Sequence, residues 1–245
     1  MGVKLDPGAQ SRHPAGMIFL HDNMLAWEGV AHGFSTSLDR TGRPLDLGSN
    51  AKGEDWRRLA TDAGLDGAPV AFSAQVHGAD CRYADGPGSV GNADAIWTDV
   101  PGLLLAVRTA DCVPILVAGP GVVAAIHAGW RGLAGGVIPS SVEVLSGRGP
   151  LHAVVGPSIC MGCYEVGEEV VAGIAQRVRE DRFVDRTQAK PHVDPGAAAV
   201  AQLEAAGISS VERIGICTQC DDRLWSHRQT GSLAGRQVGV IGLTC

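Results

Sequence analysis

Three short apolar runs, set almost end to end, constrain this chain more than any other feature. Leu103–Val107, Val113–Ala118 and Val122–Ile126 are rich in Val, Leu and Ile, and each is far shorter than a packed helix. Runs of that length and composition read as buried strands. Thr109-Ala110-Asp111-Cys112 interrupts the first pair, and Gly119-Pro120-Gly121 turns the second strand into the third. The third run ends in His127-Ala128-Gly129-Trp130-Arg131-Gly132.

The flanking segments supply further strands and a few helices. Residues 17–36 read as short strand-like pieces ending in a Gly/Ser/Thr loop, and 69–76 as a strand running into His77-Gly78. Residues 85–92 read as a Gly-rich loop, Ile214–Cys217 as a short strand and the segment 237–243 as the last one. Helices are predicted over 53–64, stopped by Gly64, and over 133–146, with a kink or break at Pro139. Residues 165–180 have an amphipathic pattern with acids early and basics late. Residues 194–206 carry Asp194 as N-cap, Pro195 in the first turn and Gly207 as stop. Strands and helices in no regular alternation predict an α+β fold, with mixed β-sheets flanked by helices. A Gly count of 34 and only 4% aromatics fit strands joined by tight turns. One catalytic domain is expected over 17–245, after a frayed tail at 1–16.

Charge and composition exclude several classes of partner. The net charge of −6 comes with no basic stripe, which argues against nucleic acid and leaves local binding of a small anion open. No apolar stretch reaches the ~18–20 residues of a membrane span, and the polar N-terminus has no signal-peptide core. Seven cysteines, an odd number, without an export signal predict reduced thiols and a cytoplasmic location. Protein partners and oligomeric state are not encoded in any pattern recognised in the chain.

His77 and His127 each follow a strand-like run, and Cys112 lies in the break between two of them. Such positions fall in loops at a sheet edge, where sites form. Two imidazoles and a thiolate suit zinc, and three protein ligands leave a fourth position open for a reactant. The spacings match no compact zinc signature. A metal-free reading keeps the same residues, with Cys112 as nucleophile and His127 as its base. A non-enzymatic reading uses Cys160-x-x-Cys163 and Cys217-x-x-Cys220 as a structural zinc site, with buried free thiols as the plain alternative.

Several segments resemble one family, in order along the chain. They are His32-Gly33-Phe34-Ser35-Thr36, Gln75-Val76-His77-Gly78, Ala93-Asp94-Ala95, Thr109 to Pro114, His127 to Gly132, Gly156-Pro157-Ser158-Ile159, Tyr164-Glu165-Val166, Cys217-Thr218 and Ser226-His227-Arg228. The chain is similar to the YfiH/FAMIN family, also called the laccase-domain or polyphenol-oxidase family, over about residues 30–242. The resemblance implies a layered α/β sandwich and a zinc site at His77, Cys112 and His127. It also implies a purine nucleoside phosphorylase acting on adenosine, inosine and methylthioadenosine with phosphate, and possible adenosine deaminase activity. Older descriptions of the family give copper and polyphenol oxidation, and bacterial members are linked to editing of peptidoglycan precursors, which an amidohydrolase would perform.

For phosphorolysis, Arg131 is the expected phosphate ligand, at a point where the chain leaves a strand and opens a helix. Asp111 is expected either to orient a ligand imidazole or to act as acid or base, the plainer alternative being a turn cap. Gln75 is expected to reach a base or ribose or to close a turn, and Ser35 and Arg228 are further substrate candidates carried by their motifs. Trp130 reads as core or as a stacking surface for a purine. One departure stands out: the family reads Gly-Phe-Ser-Thr-Arg, whereas Ser37 follows Thr36 here, leaving Arg40 or Arg43 as substitutes. A multicopper laccase needs on the order of ten His for its blue and trinuclear sites; this chain has 8, scattered and without a His-x-His pair.

Overall fold

The computed structural model describes residues 17–18, 29–48, 50–208 and 210–244; the expected tail at 1–16 lies outside them. Two mixed six-stranded sheets stand face to face among the described residues. The first runs β1 (Met17–Ile18), β2 (Val30–Ser35), β14 (Gln237–Leu243), β7 (Leu104–Thr109), β3 (Val70–Ala74) and β5 (Gly88–Asn92). The second runs β13 (Ser210–Arg213), β10 (His152–Val155), β8 (Val113–Gly119), β9 (Val122–Ala128), β6 (Ala95–Thr98) and β4 (Cys81–Tyr83). A small pair, β11 (Val184–Asp185) and β12 (His192–Val193), lies apart from both. Pairings β3–β7, β3–β5, β10–β13 and β4–β6 are parallel and the rest antiparallel.

The apolar runs are continuous because these strands are covered on both faces. On β8 and β9, Leu116, Ala118, Val123 and Ala125 meet Phe34, Leu105, Val107 and Ile241 of the first sheet. Their neighbours Ile115, Val117, Ala124 and Ile126 face the opposite way, toward helices α2 (Trp130–Gly135), α3 (Val137–Val144), α4 (Glu168–Ala175) and α5 (Pro195–Ala205). The outer face of the first sheet, with Leu104, Ala106, Val238 and Val240, takes helix α1 (Gly53–Asp62) through Leu59 and Ala60. A short α6 (His227–Thr230) precedes β14. The order helix, sheet, sheet, helices is the layered sandwich expected.

Four local expectations shift. The helix predicted over 133–146 breaks at Gly136, which adopts φ 90° between α2 and α3, and not at Pro139. Pro139 falls in the first turn of α3, where a missing N–H costs nothing. Helix α4 starts only at Glu168, because Glu165 bridges to His192 and the Val166 amide bonds to the Pro191 carbonyl. The strand expected at 214–217 lies four residues earlier, at Ser210–Arg213, since its partner β10 ends at Val155 and Pro157 offers no N–H beyond it. The Gly-rich stretch contributes strand β5 through pairing with β3. The C-terminal strand forms as expected and is central to its sheet.

Candidate metal centre

Strands β7 and β8 belong to different sheets, so the chain crosses between layers at Ala110-Asp111-Cys112. Asp111 makes that crossing with φ 87°. His77 follows β3 of the first sheet, and His127 is the penultimate residue of β9 in the second. All three meet at one open end of the sandwich, with their donor atoms within 4.8 Å of one another. Cys112 Sγ lies 3.9 Å from His77 Nε2, slightly wider than the ~3.5 Å that zinc bonds of ~2.0 and ~2.3 Å leave between two tetrahedral ligands. The two imidazole rings stand edge to face, with centroids 5.0 Å apart.

Asp94, fully buried, organises this arrangement. Its Oδ1 lies 2.8 Å from His127 Nδ1, which fixes that ring with Nε2 free. The same carboxylate accepts from the backbone amides of Val76 (3.1 Å), His77 (2.9 Å) and Gly78 (2.6 Å). That clasp holds His77 in the left-handed backbone region, at φ 59°. The role expected of Asp111 as orienting carboxylate therefore belongs to Asp94. The Ala93-Asp94-Ala95 motif was the signal, but an acid between two alanines carries no spacing that ties it to a histidine. Asp111 instead accepts from Thr218 Oγ1 (2.6 Å) and from the Arg228 amide (2.6 Å), binding the crossing to the C-terminal loops.

Burial pushes the Cys112 thiol up, but the charge and hydrogen bond of His127, with a contribution from His77, bring it down to about 6. Burial pulls His127 down, while the Cys112 thiolate and Asp94 carry it up to about 9. Asp94 is lowered, its burial outweighed by the bonds from His127, Gly78 and Val76. The group thus holds a thiolate at neutral pH, the form that binds metals. Gly129 leaves the space these side chains occupy: a Cβ there would lie 2.8 Å from His77 Cδ2 and 3.2 Å from Cys112 Sγ.

The trio opens on a cavity of about 560 Å³, whose lining also includes Arg108, His227, Leu233 and Arg236. Arg108 follows the β7 pleat, with Nη2 on the Ser73 carbonyl, and its pKa is lowered by burial and by the charge of Arg236. Two guanidiniums close enough to repel one another on a cavity wall suit an anion.

The expected substrate residues distribute differently. Gln75 lines the cavity, but its amide is closed onto the Arg108 backbone in both directions, at 2.7 and 2.8 Å, so it holds β3 to β7. Ser35 is buried and accepts from the Val238 amide inside the sheet. Arg131 is not in the cavity lining; its guanidinium lies over Trp130, 4.5 Å from the ring centroid. Arg228 lies over Tyr164 and donates to the Glu165 carbonyl. Arg40 pairs with Asp62 and Arg43 with Glu54, and neither lines the cavity. Arg108 and Arg236 were missed, because no motif marks an arginine inside a strand or beside one.

A family model described as "Multi-copper polyphenol oxidoreductase laccase" matches residues 27–244. A purine nucleoside phosphorylase of Deinococcus radiodurans is 35% identical over 229 residues, covering 87% of this chain and 89% of the relative. A purine nucleoside phosphorylase of Streptomyces coelicolor is 41% identical over 192 residues, covering 73% and 79%. An adenosine deaminase, RL5, from an unknown prokaryotic organism is 33% identical over 202 residues, covering 73% and 76%. The crystal structure of YlmD from Geobacillus stearothermophilus superposes with a TM-score of 0.86 at 27% identity, over 98% of this chain and all of that one.

Proposed function

Because the chain belongs to the multi-copper polyphenol oxidoreductase laccase family, we propose that it is a zinc-dependent purine nucleoside phosphorylase acting on adenosine, inosine or methylthioadenosine. The reading rests on one observation: His77, Cys112 and His127 share a cavity with Arg108 and Arg236. The names of the Deinococcus and Streptomyces relatives point the same way.

The donor set fits zinc, with two imidazoles, one thiolate, a carboxylate behind His127 and space left by Gly129. Zinc held by these three side chains supplies Lewis acidity to a polar group of the substrate. Copper competes for the same donors. Multicopper oxidation is disfavoured by the ligands: among the described residues the second group able to hold a metal is four cysteines, with no imidazole.

Arg108 and Arg236 bind phosphate beside the glycosidic carbon and replace Arg131 in that role. A phosphate oxygen forms its bond to C1′ as the C1′–N9 bond breaks, and the electron pair leaves on the purine, which takes up a proton. Holding both reactants in one cavity makes the step effectively unimolecular. Arg228 and Asp111 position Tyr164 and the crossing loop and do not touch phosphate. The likeness to RL5 favours a second reading, in which water displaces the amine of adenosine at the same centre and ammonia leaves.

Incubation of zinc-loaded protein with adenosine, with and without phosphate, tests the proposal. Adenine and ribose 1-phosphate, formed only with phosphate, are expected. Inosine alone would move the assignment to deamination. Release of an amino acid from a muropeptide precursor, with neither nucleoside product, would move it to precursor editing.

A further inference from the structure

Outside the cavity, Cys160, Cys163, Cys217 and Cys220 bring four sulfurs within 4.8 Å of one another. Their convergence follows from the fold. Strands β10 and β13 are parallel neighbours in register, His152 opposite Ser210 and Val155 opposite Arg213. Each strand is followed, four or five residues on, by a Cys-x-x-Cys segment, and the Ser158–Cys217 bridge keeps the two exits side by side. Both segments are closed by turns, Cys163 amide to Cys160 carbonyl at 3.0 Å and Asp221 amide to Cys217 carbonyl at 3.1 Å.

One backbone amide is aimed at a sulfur of the group. The Cys160 amide points at Cys217 Sγ, 3.3 Å away. Amide N–H groups aimed at sulfur stabilise its anionic form. The Cys163 and Cys220 sulfurs are 3.4 Å apart, far beyond a disulfide bond of ~2.05 Å and close to the ~3.8 Å between sulfurs on a tetrahedral zinc. Among the described residues all four are free thiols, with no disulfide joining them, and their number and spacing match a tetrahedral ligand set.

We propose that these cysteines bind one zinc ion as a closed tetrathiolate site, separate from the trio. Four protein ligands leave no vacant coordination position, so the ion is structural. It ties the segment 156–164 to the segment 214–222 behind the catalytic cavity. From these segments Thr218 reaches Asp111, the Ile159 amide bonds to the Asp111 carbonyl at 3.0 Å, and Tyr164 directly follows Cys163. The ion thereby anchors the turn that presents Cys112.

The test measures metal content, so it is independent of the catalytic assignment. A His77→Ala/Cys112→Ala double variant keeps the quartet intact. Purified without chelator under reducing conditions, it is expected to retain one zinc per chain, with an X-ray absorption spectrum showing four sulfur neighbours at about 2.3 Å. In the otherwise unaltered protein, Cys163→Ser/Cys220→Ser is expected to lower the zinc count by one and to lower the melting temperature. Absence of metal from the first variant, iron in place of zinc, or mass loss corresponding to two disulfides would each overturn the proposal. Loss of zinc there alongside intact phosphorolysis by the unaltered protein would sink this site and leave the catalytic one standing.

Discussion

The two thiol-bearing clusters lie at the same end of the second sheet and are built in opposite ways. The trio draws one residue from a strand of the second sheet, one from the loop after β3 of the first and one from the crossing between them, mixes nitrogen with sulfur, and opens on a cavity. The quartet takes all four ligands from two loops leaving one pair of strands, uses sulfur alone, and lies outside that cavity. In the roles proposed for them, three ligands beside a pair of guanidiniums serve chemistry, whereas four ligands without such a wall serve cohesion. Ligand number and enclosure, more than ligand type, separate a working site from a staple.

Removing one ligand from each cluster should separate the two roles most sharply. Cys112→Ala is expected to abolish nucleoside turnover while circular dichroism and melting stay near those of the parent. Loss of Cys220 should do the reverse, lowering the melting temperature by on the order of 5–10 °C with turnover per folded molecule largely kept. If Cys112→Ala retained turnover, the trio would lose its place in the mechanism. Asp94→Asn should weaken zinc binding at the trio by roughly 10–100-fold and leave the quartet loaded, as competition with a chromogenic chelator would show. A smaller effect is expected from Arg236→Gln: KM for phosphate rises about tenfold, by roughly 1.4 kcal/mol, while any phosphate-independent deamination is unchanged.

The smallest difference concerns acid. In zinc-stripped protein the Cys112 thiol, lowered to about 6 by His127 and His77 against its burial, is ionised at neutral pH. Cys163 is instead raised, by burial and by its bonds to Cys220 and Cys160. Iodoacetamide labelling read by peptide mass should therefore begin near pH 6 at Cys112 and lag far behind at Cys163. Equal labelling at pH 7 would erase this contrast.

Much of this architecture is legible in the sequence itself. Val113–Ala118 and Val122–Ile126 read as strands by length and composition, and their lack of alternation is explained by a second sheet on one side and helices on the other. The trio was found through its motifs, since intervals that long acquire meaning only when two sheets face each other. Asp94 escaped notice because its partners lie 16 to 33 residues away in the chain. Arg236 escaped because a lone arginine before a strand is ordinary. The quartet shows the converse: its two short spacings were visible, but the 57 residues separating Cys160 from Cys217 argued against them. Parallel pairing of β10 with β13 removes that objection, and pairing partners are not written in local pattern. Gly136 and Pro139 teach the same lesson within one helix, where the residue with left-handed backbone, not the imino acid, made the break.

The parallel alignment of β10 and β13 also bears on how the polypeptide matures. The three ligands of the trio all lie before Ala128, whereas the second cluster closes a circuit through α4 and α5 that exists only once β13 has docked. An ion gripping both ends of that circuit acts as a reversible cross-link, worth about 4 kcal/mol in chain entropy for a loop of this length. Trace-metal supply would then set how firmly the last third of the polypeptide locks into place, quite apart from any turnover.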